Sequence, residues 1–272
     1  MSAPDAAWAL LRRGGVLVLT GAGVSTDSGI PDYRGPGSVP RQPMTYQQFV
    51  TAPEARRHYW ARAHLGWERM RAARPNRTHA LLARWQRAGG LAGLITQNVD
   101  GLHESAGHRD VIDLHGRLDR VVCLDCGDRT PRDALQHRHA SLNPGWDEQS
   151  VEHAPDGDVL LESTSGFTVA PCERCGGRLK PDVVFFGENV AKPLVERSYE
   201  LVAASRAVLV LGSSLHVMSG LRFVRRAAAL GTPVVIVNRG ATRGDDLATV
   251  RLDAGCAQTL TAWAETAAAQ LS

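Results

Sequence analysis

Short apolar runs recur along the chain, and each is closed by small or hydrogen-bonding residues. They cover 15–20 (GVLVLT), 91–96 (LAGLIT), 110–114 (DVIDL), 207–211 (AVLVL) and 234–237 (VVIV). Runs this short, rich in Val, Leu and Ile, predict strands buried on both faces, as in a parallel sheet. Between them, amphipathic segments predict helices over 45–73 (with a restart at Pro53), 78–88, 198–204, 221–230 and 257–271, after a short first helix. Alternation of buried strands with helices predicts an α/β fold with a doubly wound parallel sheet. In such sheets ligands bind outside the carboxyl ends of the strands. Those ends read GAG, QNVD, HG, GSS and NRG in chain order.

The first of these ends is the most informative. Gly21-Ala22-Gly23 follows a strand directly, and Ser25, Thr26 and Ser28 come next. A strand entering Gly-X-Gly lets backbone N–H groups approach a pyrophosphate. The usual third glycine is absent, with Thr26 in its place, so a tight strand–helix turn built from small residues is the alternative. Pro31 breaks any helix begun at Val24, so Asp32, Tyr33 and Arg34 fall in a loop. There they can accept from a sugar hydroxyl, cover a ring and reach a phosphate. Gln97, Asn98 and Asp100 follow the second strand, where a ligand-binding set and an Asx-turn cap are both open. His115 follows the third, as a base or as a structural histidine.

Two C-x-x-C pairs, Cys123/Cys126 and Cys172/Cys175, are separated by 45 residues, and each is trailed by glycine. This is ribbon spacing for a tetrahedral four-cysteine zinc site, with no position left open for catalysis. The segment 130–170 between the pairs is polar and turn-rich, and reads as a small domain or long loop. Pro181 places the apolar run 179–188 at a sheet edge or strand start, and an exposed edge can accept an extended peptide.

Composition narrows the field. The chain has 272 residues, 43% of them hydrophobic, and a net charge of +3. Nothing in it matches a nucleic-acid-reading module, and no apolar stretch approaches the roughly 20 residues of a membrane span. The N-terminus enters the first helix and strand without a signal-like segment. A cytoplasmic protein is the expectation, and a monomer.

Taken together, GAGVSTDSGIPDYRG, TQNVDGLH, the LHG at His115, the paired cysteines, KPDVVFFGE, GSSL and VNRG resemble the sirtuins, NAD-dependent protein lysine deacylases. The likeness runs over nearly the whole chain from about residue 8. The DYRG, the YWAR at Tyr59–Arg62 and the insert with LNPGW and APDGDV are similar to class II, the sirtuin-4-like mitochondrial group and its bacterial relatives.

The resemblance implies a Rossmann-like domain (1–40, 76–120 and 179–272), a helical insertion (41–75) and a small zinc-ribbon domain (121–178). NAD and acyl-lysine would meet in the cleft between them. It implies that Gly21, Ala22, Gly23, Thr26, Asp32, Tyr33 and Arg34 hold or cover NAD. Gln97, Asn98 and Asp100 would line the nicotinamide and ribose pocket. Gly212, Ser213, Ser214, Asn238, Arg239, Gly240 and the turn at Cys256 would hold the adenosine half. Val183, Phe185, Phe186, Gly187 and Glu188 would border the peptide. In the implied mechanism the acyl oxygen attacks C1′ of the nicotinamide ribose, and the acyl group ends on ADP-ribose. His115 would be the base, assisted by Asn98 and Asp100. Mono-ADP-ribosyl transfer to protein and an idle NAD-responsive scaffold are the alternatives.

Tyr59 and Arg62 are spaced i, i+3, so they share a helix face. By resemblance to sirtuins that remove acidic acyl groups, the pair would bind an acyl carboxylate, with Arg62 as the main anchor. Tyr59 packing and Arg62 pairing with an acid is the other reading.

Overall fold

The computed structural model describes residues 2–32, 43–146 and 163–269. The chain opens with α1 (Ala3–Leu11), started by a capping box between Ser2 and Asp5. It continues into β1 (Val16–Thr20), buried at every position. Two single 3-10 turns follow, Ala22–Val24 and Thr26–Ser28, ended by Gly29 at φ 82°. The α-helix that Pro31 forbids does not form. Next come α2 (Tyr46–Thr51), α3 (Pro53–Ala72), α4 (Arg77–Arg87), β2 (Leu91–Thr96), α5 (Leu102–Ser105) and β3 (Val111–Asp113). A second, smaller layer is built from β4 (Gly116–Cys123), β5 (Arg129–Pro131), α6 (Arg132–Leu142) and β6 (Leu179–Val183). The chain then returns through α7 (Lys192–Ala204), β7 (Ala207–Leu211), α8 (Met218–Ala229), β8 (Val234–Val237), β9 (Val250–Leu252) and α9 (Cys256–Ala269).

Six strands pair in parallel in the order β3-β2-β1-β7-β8-β9. Counted within the sheet this is 3-2-1-4-5-6, and the winding reverses between β1 and β7. Period-two alternation divides the β1 side chains between two cores. Val16 and Val18 pack with Leu94, Leu209, Val235 and Trp263 on one face. Leu17 and Leu19 pack with Ile95, Val208, Val210 and Phe223 on the other. A third core joins α2 and α3 to the smaller layer through Phe49, Tyr59, Trp60, Val121, Leu135 and Phe167.

The smaller sheet has the order β5-β4-β6, antiparallel throughout. β6 is therefore an edge, as Pro181 predicts. α7 and α8 start earlier than their apolar patterns suggest: Pro193 sits in the first turn of α7, and Met218 opens α8. α6 lies in the segment read as turn-rich. Its sequence RDALQHRHASL offers few apolar positions, and Arg132, Gln136 and His139 take buried places instead. That substitution of polar for apolar residues removes the periodicity a sequence reading relies on. The Pro155–Gly157 turn lies outside the described residues.

Candidate active site

The carboxyl ends of β1 and β7 meet at the reversal of the sheet, and glycine makes the meeting possible. Gly21 N donates to Leu211 O (3.0 Å), and Gly23 N donates to Gly212 O (2.9 Å). A Cβ on Gly21 would lie 2.7 Å from Ser213 Cβ, and one on Gly23 would lie 2.9 Å from Gly212 Cα. Gly212 itself has φ 58°, a region that glycine enters freely. The result is a bare backbone cradle, the shape that a diphosphate needs.

A cleft of about 800 Å³ opens over this cradle. Gly21, Ala22, Gly23, Thr26, Asp32, Gln97, Asn98, Asp100 and His115 line it, with Gly212, Ser213, Ser214, Asn238, Arg239, Gly240 and Cys256. Tyr33 and Arg34 lie outside the described residues. Residues supplied by five strand ends are thus brought together. Cys256 opens α9, and burial pushes its thiol up to about 12, so it stays neutral.

Ser25, which the sequence pattern does not single out, joins the two central loops. Its hydroxyl donates to Asp100 Oδ2 (2.7 Å) and accepts from Asn98 Nδ2 (3.0 Å). Asp100 Oδ1 accepts from Leu102 N (2.9 Å). Burial raises the Asp100 pKa, and these bonds work against that rise. Beneath the loop, Thr96 Oγ1 accepts from Asn98 N (3.0 Å) and from Thr20 Oγ1 (2.9 Å). The loop is therefore held by side chains of the strands it follows.

His115 is fixed at both ring nitrogens. Nδ1 lies 2.9 Å from Gln97 O, and Nε2 lies 2.7 Å from Ser219 Oγ. A carbonyl can only accept, so Nδ1 carries the hydrogen and Nε2 keeps its lone pair. Burial lowers the His115 pKa below the ordinary histidine value, partly offset by the bond to Gln97. The imidazole is accordingly a neutral acceptor at physiological pH. Ser219 sits in the first turn of α8, and nothing in the sequence distinguishes it from other serines near a helix start.

The other wall continues β6. Val183, Phe185, Phe186, Gly187 and Glu188 line the cleft, and Val184 N donates to His115 O (2.8 Å). Glu188 Oε2 accepts from Phe185 N (2.8 Å) and pairs with Lys180 Nζ (3.1 Å), which is 3% exposed. This ion pair clamps the turn after the edge strand. Tyr59 also lines the cleft, packed edge-on against Phe49 and Trp60. Arg62 does not line it. Its Nη1 lies 3.2 Å from His58 Nε2, one turn back on α3. Helical spacing puts Tyr59 and Arg62 on adjacent positions of one face, but aromatic packing draws only the tyrosine inward.

Cys123, Cys126, Cys172 and Cys175 gather at the far end of β4, with all four Sγ atoms within 4.8 Å of one another. The Cys123–Cys175 and Cys126–Cys172 separations are 3.5 and 3.8 Å. A tetrahedron with Zn–S bonds of about 2.3 Å has edges of about 3.8 Å, so the four thiolates can hold one zinc ion. None of the four lines the cleft.

The pattern of the Sir2 family matches residues 21–219. The NAD-dependent protein deacetylase 1 of Streptomyces coelicolor is 59% identical over 246 residues, 89% of this chain and 82% of that protein. The bovine mitochondrial NAD-dependent protein lipoamidase sirtuin-4 is 47% identical over 252 residues, 90% of this chain and 80% of that protein. A Sir2 structure with a peptide and NAD+ superposes with TM-score 0.76 at 28% identity, covering 98% of this chain and 99% of that one. Among the described residues no helix is long and apolar enough to cross a membrane. With the family pattern spanning the cradle, the histidine and all four cysteines, the chain belongs to the Sir2 family, the sirtuins.

Proposed function

We infer that this chain is an NAD-dependent protein lysine deacylase, moving the acyl group of an acyl-lysine to ADP-ribose with release of nicotinamide. The observation that carries this is the position of His115 Nε2. It is an unprotonated acceptor on a cleft with a glycine cradle on one side and an edge strand on the other. The naming of its relatives as NAD-dependent deacetylases and a lipoamidase supports the same reading.

The residues present fit both partners. The close-packed turns at Gly21–Gly23 and Gly212–Ser214, whose Gly21, Gly23 and Gly212 amides are bonded within the fold, would border the diphosphate, while Asn238 and Arg239 would flank the adenosine half. Bound NAD supplies an electrophilic ribose carbon and the hydroxyl that receives the acyl group. Asn98 and Asp100, held through Ser25, orient the ribose. His115 takes a hydroxyl proton at Nε2, and the carbonyl of Gln97 steadies the ring as it becomes charged. The turn at Val183–Glu188 extends its edge to the peptide backbone. Among the described residues the cysteine cluster lies off the cleft, so its zinc would be structural. Four free thiols gathered for a metal suit a reducing compartment, and the cytoplasm is our assignment.

The test is nicotinamide release from NAD, with and without an acetyl-lysine peptide. Release that requires the peptide, with the acyl group recovered on ADP-ribose, is the expected result. Release without it, with label on protein, would favour ADP-ribosyl transfer, and no release at all would favour a scaffold.

A further inference from the structure

Arg117 stands two residues after His115 on β4, and its side chain is 18% exposed. Its guanidinium faces carboxylates from three elements. Nε and Nη2 fork onto Asp119 of the same strand (3.0 and 2.6 Å). Nη1 pairs with Glu104 of α5 (2.8 Å). Asp113 Oδ2, at the end of β3, stands 4.0 Å from the same Nη1. Burial, and after it the Glu104 charge, pushes the Asp113 carboxyl up to about 7, so below that pH it is protonated and leaves Nη1 to Glu104. The guanidinium also packs against Gly101, where a Cβ would lie 2.5 Å from Nη2 and 3.0 Å from Cζ. Gly101 has φ 69° and directly follows Asp100.

These contacts reach Asp100 through α5. That helix is a single turn, which has no stability of its own in water, so its ties to the rest of the fold decide where it sits. Two adjacent side chains supply them. His103 Nε2 lies 3.0 Å from Thr20 Oγ1 at the end of β1, and Glu104 pairs with Arg117 on β4. The turn presents the Leu102 amide to Asp100 Oδ1 (2.9 Å), the bond that, with Ser25, fixes this carboxylate at the wall of the cleft. The backbone adds one link between the same loop and strand, from Leu118 N to Val99 O (2.9 Å). None of these bonds involves the turn at Val183–Glu188.

Resting on the deacylase reading, we propose that Arg117 is a positioning residue for the loop that holds the ribose. Through Glu104 and Gly101 it places α5, and through the Leu102 amide it places the Asp100 carboxylate relative to His115. The fork on Asp119 fixes the guanidinium plane, and Nη1 is left to hold the loop. A lysine would keep the charge but could not grip Asp119 and Glu104 in one fixed geometry.

The experiment compares kcat and KM on an acetyl-lysine peptide for wild type, Arg117→Met, Arg117→Lys, Glu104→Gln and Arg120→Met, at a temperature where circular dichroism shows each one folded. Arg117→Met should lower kcat by about tenfold or more, the scale of a reacting group displaced by a fraction of an ångström, and leave the peptide KM unchanged. Arg117→Lys should recover part of that loss. Glu104→Gln should also lower kcat, and adding it to Arg117→Met should cost little more, because both cut the same link. Arg120→Met is the control: Arg120 lies on the same strand but pairs with Asp182 (3.5 Å), and its loss should leave kcat alone. Wild-type kcat in Arg117→Met would overturn the proposal, and so would two losses that simply multiply. If Arg117→Met does not fold, Arg117→Lys and Glu104→Gln carry the test, and wild-type kcat in both overturns it. A readout without turnover is NAD affinity by calorimetric titration, which should fall severalfold in Arg117→Met and hold in Arg120→Met. Equal affinities count against the link. No turnover by wild type on any acyl-lysine peptide would remove the deacylase reading, while the NAD titration would still report on Arg117.

Discussion

Gly23 and Gly212 touch backbone to backbone: a Cβ on the second would lie 2.6 Å from the carbonyl carbon of the first. No side chain fits between them without parting the ends of β1 and β7. Gly23→Ala should therefore lower NAD affinity by about tenfold or more in a calorimetric titration, because the displaced amides no longer converge. Gly29→Ala is the comparison. It meets nothing within 4 Å but has φ 82°, so it should cost about 1–2 kcal/mol of stability by backbone strain and leave NAD affinity alone. Wild-type affinity in Gly23→Ala would mean the cradle is not the diphosphate site.

His115→Ala should lower kcat by about 10²-fold or more while NAD still binds. The pH profile of kcat/KM carries a finer expectation. Nε2 must be unprotonated to accept, and burial lowers the His115 pKa below 6.5. Activity should hold at neutral pH and fall only as the pH drops through that lowered value. Ser219→Ala removes a hydrogen bond donated to the neutral ring, so the acid limb should move up by roughly half a unit to one unit. A limb that stays in place would show that Ser219 does not set the state of the base.

The strand ends and the cysteine pairs were legible because each rests on a local rule. Buried parallel strands read as apolar runs, and a Gly-X-Gly turn or a C-x-x-C knuckle is complete within a few residues. Ser219 was not legible, because its role depends on what the fold brings to it from 104 residues away. Arg62 illustrates the converse. Its i, i+3 spacing from Tyr59 puts the two on one helix face, yet the face does not decide which side chain enters the cleft. That is settled by aromatic packing around Tyr59. The strand β4 was hidden by its own motif, since VVCLDC reads first as a knuckle.

Metal removal gives a separate expectation. One zinc per chain should be found by elemental analysis, and chelation should melt the smaller layer, since a site of four thiolates contributes its binding energy to folding. Cys175→Ala should do the same without chelator. A stripped protein that melts with the holo form would make the cluster dispensable.

β4 carries the candidate base at one end and the first cysteine ligand at the other: His115 precedes it directly, and Cys123 closes it. At about 3.3 Å per residue, eight residues span at most roughly 25 Å. Gly116, at the near end, has φ 76°, and any side chain there would strike the Asp182 backbone. The strand is thus pinned beside the imidazole and carries the cysteine cluster at its far end. A rocking of the metal-bearing layer by about 5° sweeps its far end through roughly 2 Å while the near end barely moves. Such a rocking would carry the cysteine cluster through that arc while Val183 and Val184, paired beside Gly116 and His115, and the aim of the imidazole stay in place.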